Sequence, residues 1–132
     1  MTKRLRELVA GFREDNPDLA DSRKARGCYT VASYAFHNIL VVNSLRPSLW
    51  EIVLDDKHDH DRHLCPEWYP DIDSEGHCVN YVEGVVIDWT ARQYNSEAPF
   101  PLIFRPLKMK PKPAGLERKS RVRTPVRVPF VD

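Results

Sequence analysis

Residues 77–90, HCVNYVEGVVIDWT, decide the fold, because two β-branched and aromatic runs flank the pair Glu83-Gly84. That pattern predicts a β-hairpin over 77–82 and 85–90 with a two-residue loop. Paired positions then sum to one constant, so Val82 faces Val85, Val79 faces Asp88 and His77 faces Thr90. His77 and Asp88 become diagonal neighbours on one face, while Cys78, Asn80, Ile87 and Trp89 point to the other. An imidazole beside a carboxylate at that offset is a base held in one tautomer by an orienting acid. The bland alternative is a surface histidine and an aspartate that ends a strand, although Asp inside VVIDWT is disfavoured enough to want a reason. A three-residue loop with a bulge would change the parity and separate the two side chains.

Upstream, Val31, Ala32, Ala35, Phe36, Ile39 and Leu40 recur at helical spacing and predict an apolar central helix over 27–43. Residues 2–14 predict a shorter amphipathic helix on Leu5, Leu8, Val9 and Phe12, broken at Asn16-Pro17. LWEIVL at 49–54 reads as a strand, and residues 55–75 as a long polar surface excursion. Downstream, Pro99, Pro101 and Pro106 punctuate a loop around PFPLIF, which fits an edge strand. The sum is an α+β domain, N-terminal helices packed on a small antiparallel sheet.

Cys28 stands where the central helix should begin, after Gly27 and the basic run Arg23-Lys24-Ala25-Arg26. Helix N–H groups and nearby cations stabilise a thiolate, and the same N–H groups suit a developing oxyanion. Its bland reading is a small apolar filler beside a buried helix.

Cys28 opening a helix, followed by GHCVNYVEGVVIDWTARQYNSEAPFP, resembles the papain-like and transglutaminase-like cysteine enzymes, in which Cys, His and Asp occur in that order on a helix and two adjacent strands. More narrowly it resembles small actinobacterial, phage-type and polymorphic-toxin domains with a segment of the form V-D-x-T-A-x-Q-F/Y…P-F-P. The resemblance covers about residues 26–104 and is sharpest at Asp88, Thr90, Ala91, Gln93 and Tyr94. It implies a papain-like/transglutaminase-like core with Cys28 as nucleophile, His77 as general base and Asp88 as orienter, without a cofactor. The implied activity is that of a cysteine hydrolase or acyltransferase, a thiol protease, a deamidase or a transglutaminase-like enzyme, acting on a protein or peptide substrate. One departure concerns the Gln that many papain-like peptidases place before the Cys; the sole Gln of this chain is Gln93. Trp50, Trp68, Tyr69 and Trp89 are candidate cleft walls.

The chain has 132 residues, 42% hydrophobic and 30% charged, enough for one core and no more. No apolar run reaches the roughly 18 residues that span a bilayer, and the N-terminus lacks an apolar signal region, so the expectation is a cytoplasmic protein without membrane contact. Cys28, Cys65 and Cys78 are too few and too unevenly spaced for a disulfide scaffold. His58, His60, His63 and Cys65 suit zinc by chemistry, but four ligands within eight residues crowd the backbone, and the expectation is a metal-free charged loop.

The net charge of +1 hides two halves of opposite sign. Residues 105–132 hold nine Lys/Arg against Glu117 and Asp132, net +7, which leaves −6 on residues 1–104. The expected division is a domain at 1–104 and an extended basic, proline-rich C-terminal arm at 105–132. Such an arm is suited to hold a protein or nucleic-acid partner, its own body or a neighbouring copy. A non-catalytic binding or structural protein, for instance in a phage-like assembly, is therefore the alternative to the enzyme.

Overall fold

A computed structural model describes residues 1–52 and 77–105, and within them the chain forms helices packed on a four-stranded antiparallel sheet. Helix α1, Lys3–Asp15, starts where the Thr2 hydroxyl accepts the Leu5 N–H at 3.2 Å and buries Leu5, Val9 and Phe12. It stops at Asn16, whose Nδ2 donates to the Phe12 carbonyl at 2.9 Å, and Pro17 then opens a 3₁₀ turn over Pro17–Ala20. One further turn, α2 at Ser22–Ala25, is capped by the Asp21 carboxylate, which accepts the N–H groups of Arg23 and Lys24 and so sits below the usual aspartate pKa.

Gly27, at φ +78°, reverses the chain into α3, Tyr29–Val42, with Cys28 as its N-cap. The far end of α3 closes without glycine. Ser44 takes the left-handed conformation at φ +67° while Ser44 and Leu45 donate back to Val41 and Leu40 at 2.9 and 3.0 Å. The observed helix is thus slightly shorter at each end than the expected 27–43.

Strands β1 (Ser48–Ile52), β2 (His77–Val82), β3 (Val85–Asp88) and β4 (Leu102–Phe104) lie side by side in chain order. The hairpin register is the one the loop predicted, with Val82 opposite Val85 and Asn80 opposite Ile87. Glu83 and Gly84 both have positive φ, +52° and +78°, the conformation whose twist matches two paired strands. A Cβ on Gly84 would lie 3.2 Å from Arg105 Nη1. Glu83 tolerates its conformation while its carboxylate accepts the Thr2 N–H at 2.7 Å and hydroxyl at 2.8 Å, which lowers its pKa below 4.5 and ties the turn to the start of α1.

Side chains on the two faces of the sheet enter different cores. Val82, Val85, Ile87 and Trp89 meet Leu5, Val9, Phe12, Ala32, Phe36 and Leu40 from α1 and α3. On the opposite face Val79, Val86 and Leu102 pack with Ala91 and Ala98, and Trp50 stacks on Tyr81 at 4.3 Å between ring centroids. Trp89 is 1% exposed among the helices, so it is a core residue and not the cleft wall expected of it. Strand β3 ends at Asp88, two residues short of the expected Thr90, because the Asp88 Oδ1 accepts the Thr90 N–H at 2.9 Å and turns the chain away.

The polar excursion at 55–75, with His58, His60, His63, Cys65, Trp68 and Tyr69, and the arm from Pro106 onward lie outside the described residues. Among the described residues no helix is long and apolar enough to cross a membrane.

His37 gives the fold a pH dependence. It is 8% exposed on α3, its Nδ1 has no hydrogen-bond partner among the described residues, and burial lowers its pKa below 6.5. The unfolded chain therefore binds this proton more readily than the folded one. Stability is full above pH 6.5 and is lost as pH falls from there toward the folded pKa. Urea titrations of His37→Gln should lack that limb, while the loss associated with Glu83, whose pKa is depressed from 4.5, begins only at lower pH and stays. A wild-type limb in His37→Gln would assign it to another group.

Candidate functional site

Continuing the hairpin register past Asn80 and Ile87 sets His77 and Asp88 diagonally across β2 and β3. The His77 Nε2 and Asp88 Oδ2 are 2.7 Å apart, with both side chains 0% exposed. A carboxylate only accepts, so Nε2–H is the donor, and the ring presents Nδ1 on its other edge. There the Tyr94 hydroxyl lies at 3.4 Å, with the two rings edge to face at 4.9 Å between centroids. A neutral His77 then accepts from the Tyr94 O–H.

Asp88 uses both oxygens, Oδ2 on His77 and Oδ1 on the Thr90 N–H. The segment after it, Thr90-Ala91-Arg92-Gln93-Tyr94, holds four of the five residues at which the resemblance is sharpest, and each of its residues has a structural task. Ala91 is 2% exposed and opens a 3₁₀ turn, Ala91–Gln93. The Arg92 guanidinium donates to the carbonyls of Ala98 at 2.7 Å and Ala20 at 3.0 Å, clamping this turn to the N-terminal segment. The Gln93 Nε2 donates to the Thr90 hydroxyl at 3.0 Å, and its Oε1 accepts the Gly27 N–H at 3.4 Å.

Cys28 is partly exposed at the N-cap of α3, the placement expected of it. Its Sγ–H donates to the Lys24 carbonyl at 3.2 Å, and its backbone N–H to Ala25 at 3.0 Å. That N–H is therefore engaged, which removes it as the oxyanion donor. The first hydrogen bond of the helix runs from Ala32 N–H to Cys28 O at 2.9 Å, so the N–H groups of Tyr29, Thr30 and Val31 form the open, partially positive end.

Two buried hydrogen bonds set α3 on the sheet: the Ser33 hydroxyl donates to Cys78 O at 2.8 Å, and Asn80 Nδ2 donates to Ser33 O at 2.9 Å. Cys78 and Asn80 alternate with His77 and Val79 along β2, so α3 packs on the face opposite the His77–Asp88 pair. The structure brings His77 and Asp88 together. No hydrogen bond joins Cys28 to His77 among the described residues; the two are linked round the strand end, from Asp88 through Thr90 and Gln93 to Gly27.

No family model, curated protein or solved structure matches this chain.

Among the described residues no group of three His, Cys, Asp or Glu side chains is placed to hold a metal ion. Sequence reasoning singled out Tyr94 by the resemblance alone, without its contact to His77, and missed Arg92. The TARQY run signalled that something follows the strand, but which atoms these side chains reach depends on packing between separate elements: Tyr94 meets His77, 17 residues away, and Arg92 meets Ala20, 72 residues away.

Proposed function

We propose that the protein is a papain-like/transglutaminase-like cysteine enzyme that performs thiol-dependent acyl transfer or hydrolysis at a carboxamide or peptide bond. The observation that carries this reading is the dry His77–Asp88 pair, tied by hydrogen bonds through Thr90 and Gln93 to the residue preceding Cys28. Cys28 is the nucleophile, His77 Nδ1 takes the thiol proton, and Asp88 holds the imidazole so that Nδ1 is the basic edge. Cys28 Sγ forms a bond to the substrate carbonyl carbon, the proton on His77 passes to the leaving amine, and the thioester is resolved by water or an amine. The open N–H groups at the start of α3 face the charge that develops on the carbonyl oxygen. For this to occur the thiol leaves Lys24 O and the Tyr94 hydroxyl yields Nδ1, a tightening that substrate binding commonly drives.

A specific observation favours a second reading, a non-catalytic binding protein. His77 is 0% exposed on the sheet face opposite α3, and on this second reading the His77–Asp88 pair serves packing alone. Alkylation with iodoacetamide at pH 6, read cysteine by cysteine by peptide mass spectrometry, separates the two. The enzyme reading expects Cys28 to react far faster than Cys65 and Cys78, and to slow by about 10² in His77→Ala. Equal reactivity of Cys28 in wild type and His77→Ala would leave the binding protein.

A further inference from the structure

Outside the pair itself, the group that spans the two halves of the site is Gln93. Its amide is polar at both ends and each end is used, Nε2–H on the Thr90 hydroxyl at 3.0 Å and Oε1 on the Gly27 N–H at 3.4 Å. Thr90 is 1% exposed and is itself fixed by its N–H on Asp88 Oδ1. Gly27, at φ +78°, is the hinge on which the Cys28 turn hangs, and no side chain of its own braces it. The helix that carries Cys28 packs on one face of the sheet and the His77–Asp88 pair lies on the other. Their relative placement is therefore set where the chain passes the strand end, at the turn Ala91–Gln93.

We propose that Gln93 is a positioning residue that holds the Cys28 turn in register with the His77–Asp88 pair by bridging Gly27 and Thr90. The role rests on the proposed cysteine-enzyme reading. Among the described residues Gln93 makes no hydrogen bond to the thiol or the imidazole; it acts through the backbone at Gly27 and through Thr90 on Asp88. The amide suits the task because it carries a donor and an acceptor together. It must accept from a backbone N–H and donate to a hydroxyl oxygen at once, which neither Glu, with no donor when ionised, nor Lys, with no acceptor, can do. The Gly27 contact is the longer of the two, so the clamp has slack at its Cys28 end, and an adduct on Cys28 should draw it closer.

The test uses the full chain and the rate of Cys28 alkylation by iodoacetamide across the pH range. Gln93→Ala should shift the profile toward that of His77→Ala, with Cys28 about tenfold slower at pH 6. Thr90→Val, nearly isosteric at its buried site, removes only the acceptor for Gln93 and should give the same shift. Thr90→Ser keeps the hydroxyl oxygen and should restore the wild-type profile. A merely structural role would move the melting point of these variants and leave the profile of the folded fraction alone. Should Gln93→Ala be unstable, the Val and Ser pair at Thr90 decides the question. Wild-type profiles in Gln93→Ala and Thr90→Val, beside a slowed His77→Ala, would overturn the positioning role and leave the site standing. A wild-type profile in His77→Ala would overturn both.

Discussion

Replacing Asp88 by Ala will destabilise the protein by about 3 to 5 kcal/mol, read as a fall in the urea midpoint at constant m value. The size follows from where the carboxylate stands. Both partners of the 2.7 Å contact are 0% exposed, so the truncated variant leaves the His77 ring polar, dry and short of its closest acceptor. It also strips the Thr90 N–H of Oδ1, and a buried donor without a partner costs about 1 to 3 kcal/mol. Asp88→Asn keeps an oxygen for one of these two donors and should lose less than half as much. Replacing both His77 and Asp88 by apolar residues of similar volume should be milder than Asp88→Ala alone, because the His77 ring no longer stays behind as a polar remnant and only the Thr90 N–H loses its acceptor. A loss below about 1 kcal/mol in Asp88→Ala would mean that water reaches the pair.

Trp89→Ala will cost a comparable amount, about 3 to 5 kcal/mol, for a different reason. Its ring is the junction of the helix-facing core, 4.6 Å from Phe12, 5.1 Å from Phe36 and 5.8 Å from Phe100 between centroids. Removing it opens a cavity that α1, α3 and the sheet border together, and none of them can collapse into it alone. Small domains hold only about 5 to 15 kcal/mol in total, so this one substitution takes a large share. Trp89→Phe should be far milder, since Trp89 Nε1 has no hydrogen-bond partner among the described residues and the smaller ring discards that buried donor. Val31→Ala, at a position 72% exposed, is the control and should change the midpoint little. If Trp89→Ala and Val31→Ala unfold at the same urea concentration, the helix-facing core is not the cooperative unit described.

The hairpin was legible because its causes are local. A two-residue loop at Glu83-Gly84 sets parity, and parity alone puts His77 and Asp88 on one face and Cys78, Asn80, Ile87 and Trp89 on the other. The bounds of α1 and α3 were legible within a residue or two, since helical spacing and the breaks at Asn16-Pro17 and Gly27 act over one turn of chain. Asp88 looked anomalous inside VVIDWT, and the anomaly had a local cause: the residue ends its strand and turns the chain through Thr90.

What the sequence by itself determined, then, is the α+β composition, the pairing of β2 with β3 and the His77–Asp88 contact, all products of periodicity and turn chemistry within about a dozen residues. Only the tertiary structure decided the sidedness of α3, through Ser33 on Cys78 and Asn80, 45 and 47 residues apart in the chain. It alone turned the Cys28 thiol to Lys24, brought Tyr94 to the far edge of His77 and set Gln93 between Thr90 and Gly27. Those contacts join side chains whose partners are chosen by how two cores pack against opposite faces of one sheet. No local spacing encodes that choice, because the same residues at the same intervals would be equally satisfied with the helix on either side.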